Sequence, residues 1–433
     1  MKNHFLLLSI IFLFFSYKTV CQVNKIEKKI VESVNRNNAY YIDLLKEIVN
    51  MNSGTMNFEG VKKVGMRLKP EFEALGFDTR WEVGNAFNRA GHLVAVQKGK
   101  KGPNILLIGH LDTVFEKDSP FQEYKMINDS IMQGPGVADM KGGDVIILEA
   151  LRSLKDAKIL KNMSIEVVLT GEEENSGRPL NLSKKVLFEA SERADIALAF
   201  ENGDGNPKTI VTSRRGSKDW TLEVAGVRSH SSQVFTDKVG VGAIYETSRI
   251  LNEFYLQLTE FHNLTFNPGV ILGGTSVQYD SMKSKGDAFG KKNVVAQKTI
   301  VTGDLRATSL AQQDSAMKIM KQICRENYPG TSAQITFRSG GYPPLAATKG
   351  NMELLSIYNE VSQDLGYGEV IAVDPRKAGA ADVSFTASNV EKAVDGLGLS
   401  GGHGHTIDET GNLNKMPVQA KRAAVMIYRL TRE

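Results

Sequence analysis

Apolar positions along the chain alternate between a helical and an extended spacing. In residues 37–51 and 58–75 they recur three and four apart, the second stretch gathering Val61, Val64, Met66, Leu68 and Phe72 on one side, and both predict amphipathic helices. Short β-branched runs predict strands near 78–83, 92–98 and 104–109. A helix over 144–157 follows, then buried strands at 164–169 and 195–200. From 213 to 329 the order changes to a strand at 219–225, a helix at 239–257, strands near 269–278 and 296–306, and a helix at 311–327. This βαββαβ-like order predicts a compact four-stranded sheet with two helices, inserted as a second domain. The first pattern resumes with a strand at 333–338, a helix at 351–366, a strand around 391–397 and a helix at 416–431. The fold class is therefore α/β, with residues 22–212 and 330–433 forming one domain around an inserted 213–329. A length of 433 residues, beyond what one core usually supports, agrees with two domains.

The first 21 residues break this pattern. Lys2 precedes a nearly unbroken apolar run from Phe5 to Phe15, too short to span a bilayer comfortably and typical of a signal peptide. Cleavage near Cys21-Gln22 would make the protein exported, periplasmic or secreted, and would leave Cys324 as the sole thiol with no intrachain disulfide; an uncleaved anchor is the alternative. Lys18-Thr19-Val20-Cys21 is a poor lipid-attachment sequence. Charge changes the picture little: a net +4 with no basic block interleaved with aromatics disfavours nucleic acid.

Candidate chemistry gathers at strand ends. The 104–109 strand runs into His110-Leu111-Asp112-Thr113, where His110 and Asp112 share a face, an arrangement in which a carboxylate orients a metal-binding imidazole. Gly134-Pro-Gly-Val-Ala-Asp139-Met-Lys-Gly-Gly143 opens the next helix and lacks the Gly-Lys-Ser/Thr ending of a phosphate loop. The 164–169 strand leads to Glu172-Glu173-Glu174, and the 195–200 strand to Glu201. Sites in α/β sheets collect at such carboxyl ends. With His405 near the C-terminus, the set His110, Asp139, a glutamate of 172–174, Glu201 and His405 offers nitrogen and oxygen ligands that suit Zn²⁺, with Mn²⁺ or Co²⁺ as substitutes. Five ligands fit two ions if one carboxylate bridges, and three carboxylates with a bridging hydroxide nearly cancel the charge of the pair. His92, inside a strand pattern, reads as structural.

These motifs in this order, closed by Gly404-His405-Thr-Ile-Asp-Glu409, resemble the zinc peptidase family of glutamate carboxypeptidase, acetylornithine deacetylase and succinyl-diaminopimelate desuccinylase, most closely its glutamate carboxypeptidase branch. The resemblance spans residue 40 to the end. It implies a mixed-sheet zinc-peptidase catalytic domain whose inserted ferredoxin-like domain serves as lid and dimerisation surface. It further implies that His110 and Glu201 hold one metal, His405 and a glutamate the other, with Asp139 bridging through a residue pair, Asp139-Met140, joined by a cis peptide. Asp112 orients His110. In the preferred alignment Glu173 is the general base and Glu174 the ligand; the other frame shifts these roles to Glu172 and Glu173. His230 is implied to stabilise the oxyanion in the partner subunit's site, and Asn293 and Arg306 to hold the substrate. Tyr342-Pro343 stands where the glutamate-specific relatives carry an arginine, which removes the ground for a glutamate preference.

The activity implied is that of an exported dinuclear zinc hydrolase of carboxypeptidase type. It would cleave a peptide or N-acyl bond next to a free carboxylate, with a metal-bridged hydroxide as nucleophile and small peptides or N-acyl amino acids as substrates. An N-acyl-amino-acid deacylase and an aminopeptidase are the alternatives. A non-catalytic binding protein fits less well, since every ligand and the base are present.

Overall fold

A computed structural model describes residues 23–281 and 283–432; the expected signal peptide lies outside the described residues. The larger sheet has six strands in the spatial order Asp78–Val83, Gly91–Gln97, Met163–Thr170, Lys101–His110, Ile196–Ala199, Lys392–Val394. The first three pair antiparallel and the rest parallel, so the sheet is mixed. Both faces are covered. Ile105 and Leu107 join the core under the helices Lys25–Val49, Gly142–Asp156 and Met416–Thr431, while Leu106 and Ile108 pack with Leu187, Val383 and Phe385 on the other side. Burial on both faces is why these strands read as continuous apolar runs.

Register levels the strand ends. His110 lies opposite Thr170 and Ile108 opposite Ala199, so the residues after three neighbouring parallel strands emerge side by side. That alignment places His110, the 172–174 glutamates and Glu201 along one edge.

The first helix begins twelve residues before the expected 37, at Lys25. Its early turns carry Lys25, Glu27, Lys28, Lys29 and Glu32, which mask an apolar line through Ile26, Ile30 and Val34. A capping box fixes the start: Asn24 Oδ1 accepts from the amides of Ile26 and Glu27, and Glu27 accepts from the Asn24 amide at 2.8 Å.

A second sheet runs in the order Thr265–Gly274, Lys298–Ala307, Gly216–Gly226, Thr331–Phe337, all antiparallel. The helices Gly242–Leu258 and Leu310–Ile323 close over it, and Trp220, Leu222, Phe254, Val301, Leu305 and Met320 form a separate core. Two expectations need correction here. The strand expected at 333–338 belongs by chain order to the 330–433 segment of the larger domain, yet it pairs along Gly216–Gly226 in the second sheet. The inserted segment contributes only three strands to that sheet before residue 329, so the fourth must come from beyond it. The single strand expected at 269–278 is two: the chain turns at Gly274-Thr275, and Ser276–Asp280 pairs instead with Lys285–Phe289. A side chain at Gly274 would meet the Phe289 carbonyl oxygen at 2.6 Å. The polar Lys285-Gly286-Asp287 hid this hairpin from the pattern.

The two connections between the sheets run together. Arg214 and Leu345 form an antiparallel bridge, and the Ser217 amide donates to the Tyr342 carbonyl at 2.9 Å.

Glu149, on the helix Gly142–Asp156, is 1% exposed and neither carboxylate oxygen has a hydrogen-bond partner. Burial pushes its pKa up to about 8, against the opposing charge of Lys421. The unfolded chain releases this proton near ~4.3, so the folded state holds it over a window in which the unfolded state does not. Stability from this group is present at low pH and is lost as pH rises through about 8. Thermal unfolding of Glu149→Gln should match the parent near pH 4 and exceed it at pH 8 and above by on the order of 1–3 kcal/mol; curves that stay parallel across the range would refute this.

Candidate metal centre and active site

The edge formed by the three strand ends brings together two groups of acid and imidazole side chains that share Asp139: His110, Asp139 and Glu201, and Asp139, Glu174 and His405. The two carboxylate oxygens of Asp139 divide between them. Oδ1 lies 3.2 Å from His110 Nε2, and Oδ2 lies 3.1 Å from His405 Nε2. Glu201 is 3.3 Å from the same His110 nitrogen, and Glu174 is 3.1 Å from His405 Nε2.

Local structure explains each placement. His110 ends its strand fully buried, and its Nδ1 lies 3.0 Å from the Asp112 carbonyl oxygen and 3.5 Å from the Asp112 carboxylate. With one ring proton held there, Nε2 is the nitrogen that would be left to offer its lone pair to an ion placed between it, Asp139 and Glu201. Asp112 is itself clamped: it accepts from Thr55 Oγ1 at 2.6 Å and from the amides of Glu173 and Glu174 at 3.0 and 3.2 Å. Asp139 sits in a tight loop whose Asp139-Met140 peptide is cis and whose Gly136 has φ +76. Glu409 shapes that loop by accepting from the amides of Gly136, Ala138 and Asp139 at 3.1, 2.9 and 3.0 Å. The Glu201 amide donates to Asp395 at 3.1 Å, and Asp395 pairs with buried Arg214 at 2.8 Å.

The three consecutive glutamates point to three different environments. Glu172 is fully buried against Lys184 Nζ at 2.6 Å and accepts from the Gly177 amide. Lys184 also pairs with Asp382 at 2.7 Å, and Asp382 accepts from Thr170 Oγ1 at 2.6 Å. Glu174 turns to His405. The Glu173 carboxylate accepts no hydrogen bond from any described residue and stays beside the cluster, near His110, Glu201 and Glu174.

As bare side chains these groups are electrostatically crowded. Burial raises the Glu201 carboxyl to about 7, helped by Asp139, and raises Glu173 well above its usual range. Burial opposes charge on His110, but Glu201, Asp112 and Asp139 outweigh it and hold its pKa well above the usual value. Hydrogen bonds to Asp139 and Glu174 raise His405 to about 11. The carboxylates around both imidazoles thus favour positive charge at the two positions. Glu174 Oε1 is buried with no partner, and every donor atom is nitrogen or oxygen, so the residues present fit divalent cations.

The remaining candidates lie in the segment that builds the second sheet. His230 is exposed, with Nδ1 2.9 Å from Ser232 Oγ, and its backbone bridge to Val294 puts it beside exposed Asn293. Arg306 is half-buried and pairs with Asp304 at 2.8 Å. Among the described residues, no hydrogen bond or ion pair joins these three to the cluster. Buried His92 accepts from the Gly171 amide and lies 3.1 Å from the Ser183 carbonyl oxygen, steadying the approach to the glutamates.

Sequence reasoning missed Lys184, Asp382, Arg214, Asp395 and Thr55. Asp395 was within reach, because it comes directly after the Lys392–Val394 strand, much as Glu201 comes after its own. Lys184, in an ordinary Lys-Lys pair, carried no signal.

The comparisons with known proteins agree with this geometry. The chain is 24% identical over 394 residues to carboxypeptidase G2 of Pseudomonas sp. (strain RS-16), covering 90% of this chain and 89% of that protein. It is 26% identical over 407 residues to a succinyl-diaminopimelate desuccinylase of Hydrogenovibrio crunogenus, covering 90% and 97%. Among solved structures, aminopeptidase PepT from Bacillus cereus superposes with a TM-score of 0.71 at 20% identity, covering 91% of this chain and 99% of that one. Residues 106–429 match the peptidase family M20/M25/M40, a match that takes in all five cluster residues. The chain belongs to that family and is a hydrolase of the metallopeptidase kind.

Proposed function

We propose that the protein is an exported dinuclear zinc carboxypeptidase that hydrolyses a peptide or N-acyl bond next to a free carboxylate. The observation that carries this reading is Asp139, whose two oxygens each face a different imidazole–glutamate pair. In this reading His110 and Glu201 hold one ion, Glu174 and His405 the other, and Asp139 bridges. Bound there, the ions would polarise the scissile carbonyl and lower the pKa of water toward ~7. Glu173 takes the proton of the attacking water and passes it to the leaving nitrogen. Its freedom from hydrogen bonds supports this role, as the engagement of Glu172 with Lys184 argues against the other frame. Asp112 holds the His110 tautomer. Asn293 and Arg306 grip the substrate, Arg306 through a terminal carboxylate.

His230 completes the oxyanion site of a partner subunit in a homodimer formed through the second domain. Its exposure and its lack of contact with its own chain's cluster favour that arrangement, and Tyr245, Tyr255 and Phe289 add exposed apolar surface on the same domain. The relatives named for carboxypeptidase and desuccinylase activity support an acyl–amino acid bond as the target.

Four outcomes test this. Glu173→Gln should lose at least ~10²-fold in kcat while retaining two zinc ions per chain by elemental analysis; retained turnover refutes the base assignment. Asp139→Asn should lose both metal and activity, and a variant that still holds two ions refutes the bridge. On a panel of N-acyl amino acids, dipeptides and free-amine tripeptides, hydrolysis should require the free carboxylate and show no restriction to glutamate. Preference for a free amine would favour an aminopeptidase instead. Native mass spectrometry of protein recovered from producing cells should give a dimer of chains beginning after Cys21, and a monomer or an intact N-terminus would overturn the corresponding part.

A further inference from the structure

The loop from Glu172 to Gly177 carries both the proposed base and the ligand Glu174, and four sets of contacts hold it. Asp112 accepts from the Glu173 and Glu174 amides. Arg89 donates to the Asn175 carbonyl at 2.6 Å and to Asn175 Oδ1 at 2.8 Å. The Glu172 side chain is locked to Lys184 and the Gly177 amide. The fourth is Tyr342, whose hydroxyl donates to the Glu173 carbonyl oxygen at 2.8 Å and lies 2.9 Å from Ser176 Oγ.

Tyr342 differs from the others in where it comes from. Arg89, Asp112 and Lys184 all precede the second sheet, whereas Tyr342 lies on the segment returning from it. Its carbonyl accepts from Ser217, at the root of that sheet's strand Gly216–Gly226. Its ring is wedged between Phe385, 4.9 Å away between centroids, and Lys184, whose Nζ is 5.6 Å from the ring centre. Burial and the nearby Glu173 charge keep the phenol protonated, so it acts as a donor. Among the described residues the Glu173 carboxylate has no hydrogen-bond partner, so its location is set by the backbone that Tyr342 grips. A shift of ~1 Å in a reacting group costs up to ~10²-fold in rate.

We infer that Tyr342 is a positioning residue for proton transfer: it fixes the Glu173 peptide and ties the base to the segment that carries the second domain. This rests on Glu173 being the base. The hydroxyl is thereby committed to the loop and is not a contact for the substrate's side chain.

Tyr342→Phe deletes the hydroxyl and keeps the ring between Phe385 and Lys184. It should lower kcat on the order of 10–100-fold, with KM unchanged for every substrate of the acyl-amino acid panel and with metal content and Tm unaltered. Ser176→Ala, which leaves the Tyr342–Glu173 bond intact, should have a smaller effect, and the double variant should match Tyr342→Phe alone. The inference is overturned by an unchanged kcat, by a KM rise that depends on the substrate's side chain, or by a loss of kcat that tracks lost metal or a lowered Tm. Turnover retained by Glu173→Gln would show that the base assignment has failed; an inert Tyr342→Phe beside an inactive Glu173→Gln defeats the positioning role alone.

Discussion

The central constraint is charge crowding around Asp139. Asp112, Asp139, Glu173, Glu174 and Glu201 converge on one neighbourhood at the sheet edge, Asp112 and Glu201 buried and the other three partly so. Carboxylates so placed either lose their charge or meet a positive partner. The surrounding architecture sorts them by partner. Asp112 is given a hydroxyl and two amides, Glu172 a lysine, Asp395 an arginine, and Glu409 three loop amides. What is left over, on Asp139, Glu174 and Glu201, has imidazoles as its ion-pairing partners among the described residues. That residue of unbalanced charge is what makes the site suited to cations rather than to a structural ion network.

The sheet supplies the geometry. Parallel pairing of Lys101–His110 with Met163–Thr170 and Ile196–Ala199 levels the strand ends within a residue or so, and each exit delivers its ligands without long loops. The remaining pieces come from farther along the chain: the loop around Asp139, held by Glu409, and His405 a few residues before that same glutamate. Glu409 thereby links two ligands that are distant in sequence.

Much of this was legible in the sequence because metal chemistry restricts residue type as well as spacing. His110, Asp139, Glu174, Glu201 and His405 stand at strand or loop exits where apolar runs stop, and the structure brings all five together. What escaped was whatever depends on a partner remote in sequence. Lys184 has meaning only once Glu172 and Asp382 enclose it, and Arg214 only beside Asp395. The early turns of the first helix were hidden by charge at positions that still alternate with Ile26, Ile30 and Val34. Chain order groups the strand Thr331–Phe337 with the C-terminal segment, whereas register with Gly216–Gly226 decides its sheet.

The two halves of the cluster are unequally sheltered. His110 is 1% exposed in its side chain, whereas His405 is 57% exposed and held on a loop whose residues 403 and 405 both have positive φ. On the proposed reading the two ions would therefore differ in lability, the one at His405 being the more open to exchange with solvent. A brief treatment with chelator would then yield a half-loaded protein, and replacement by a spectroscopically visible metal would label the outer position first.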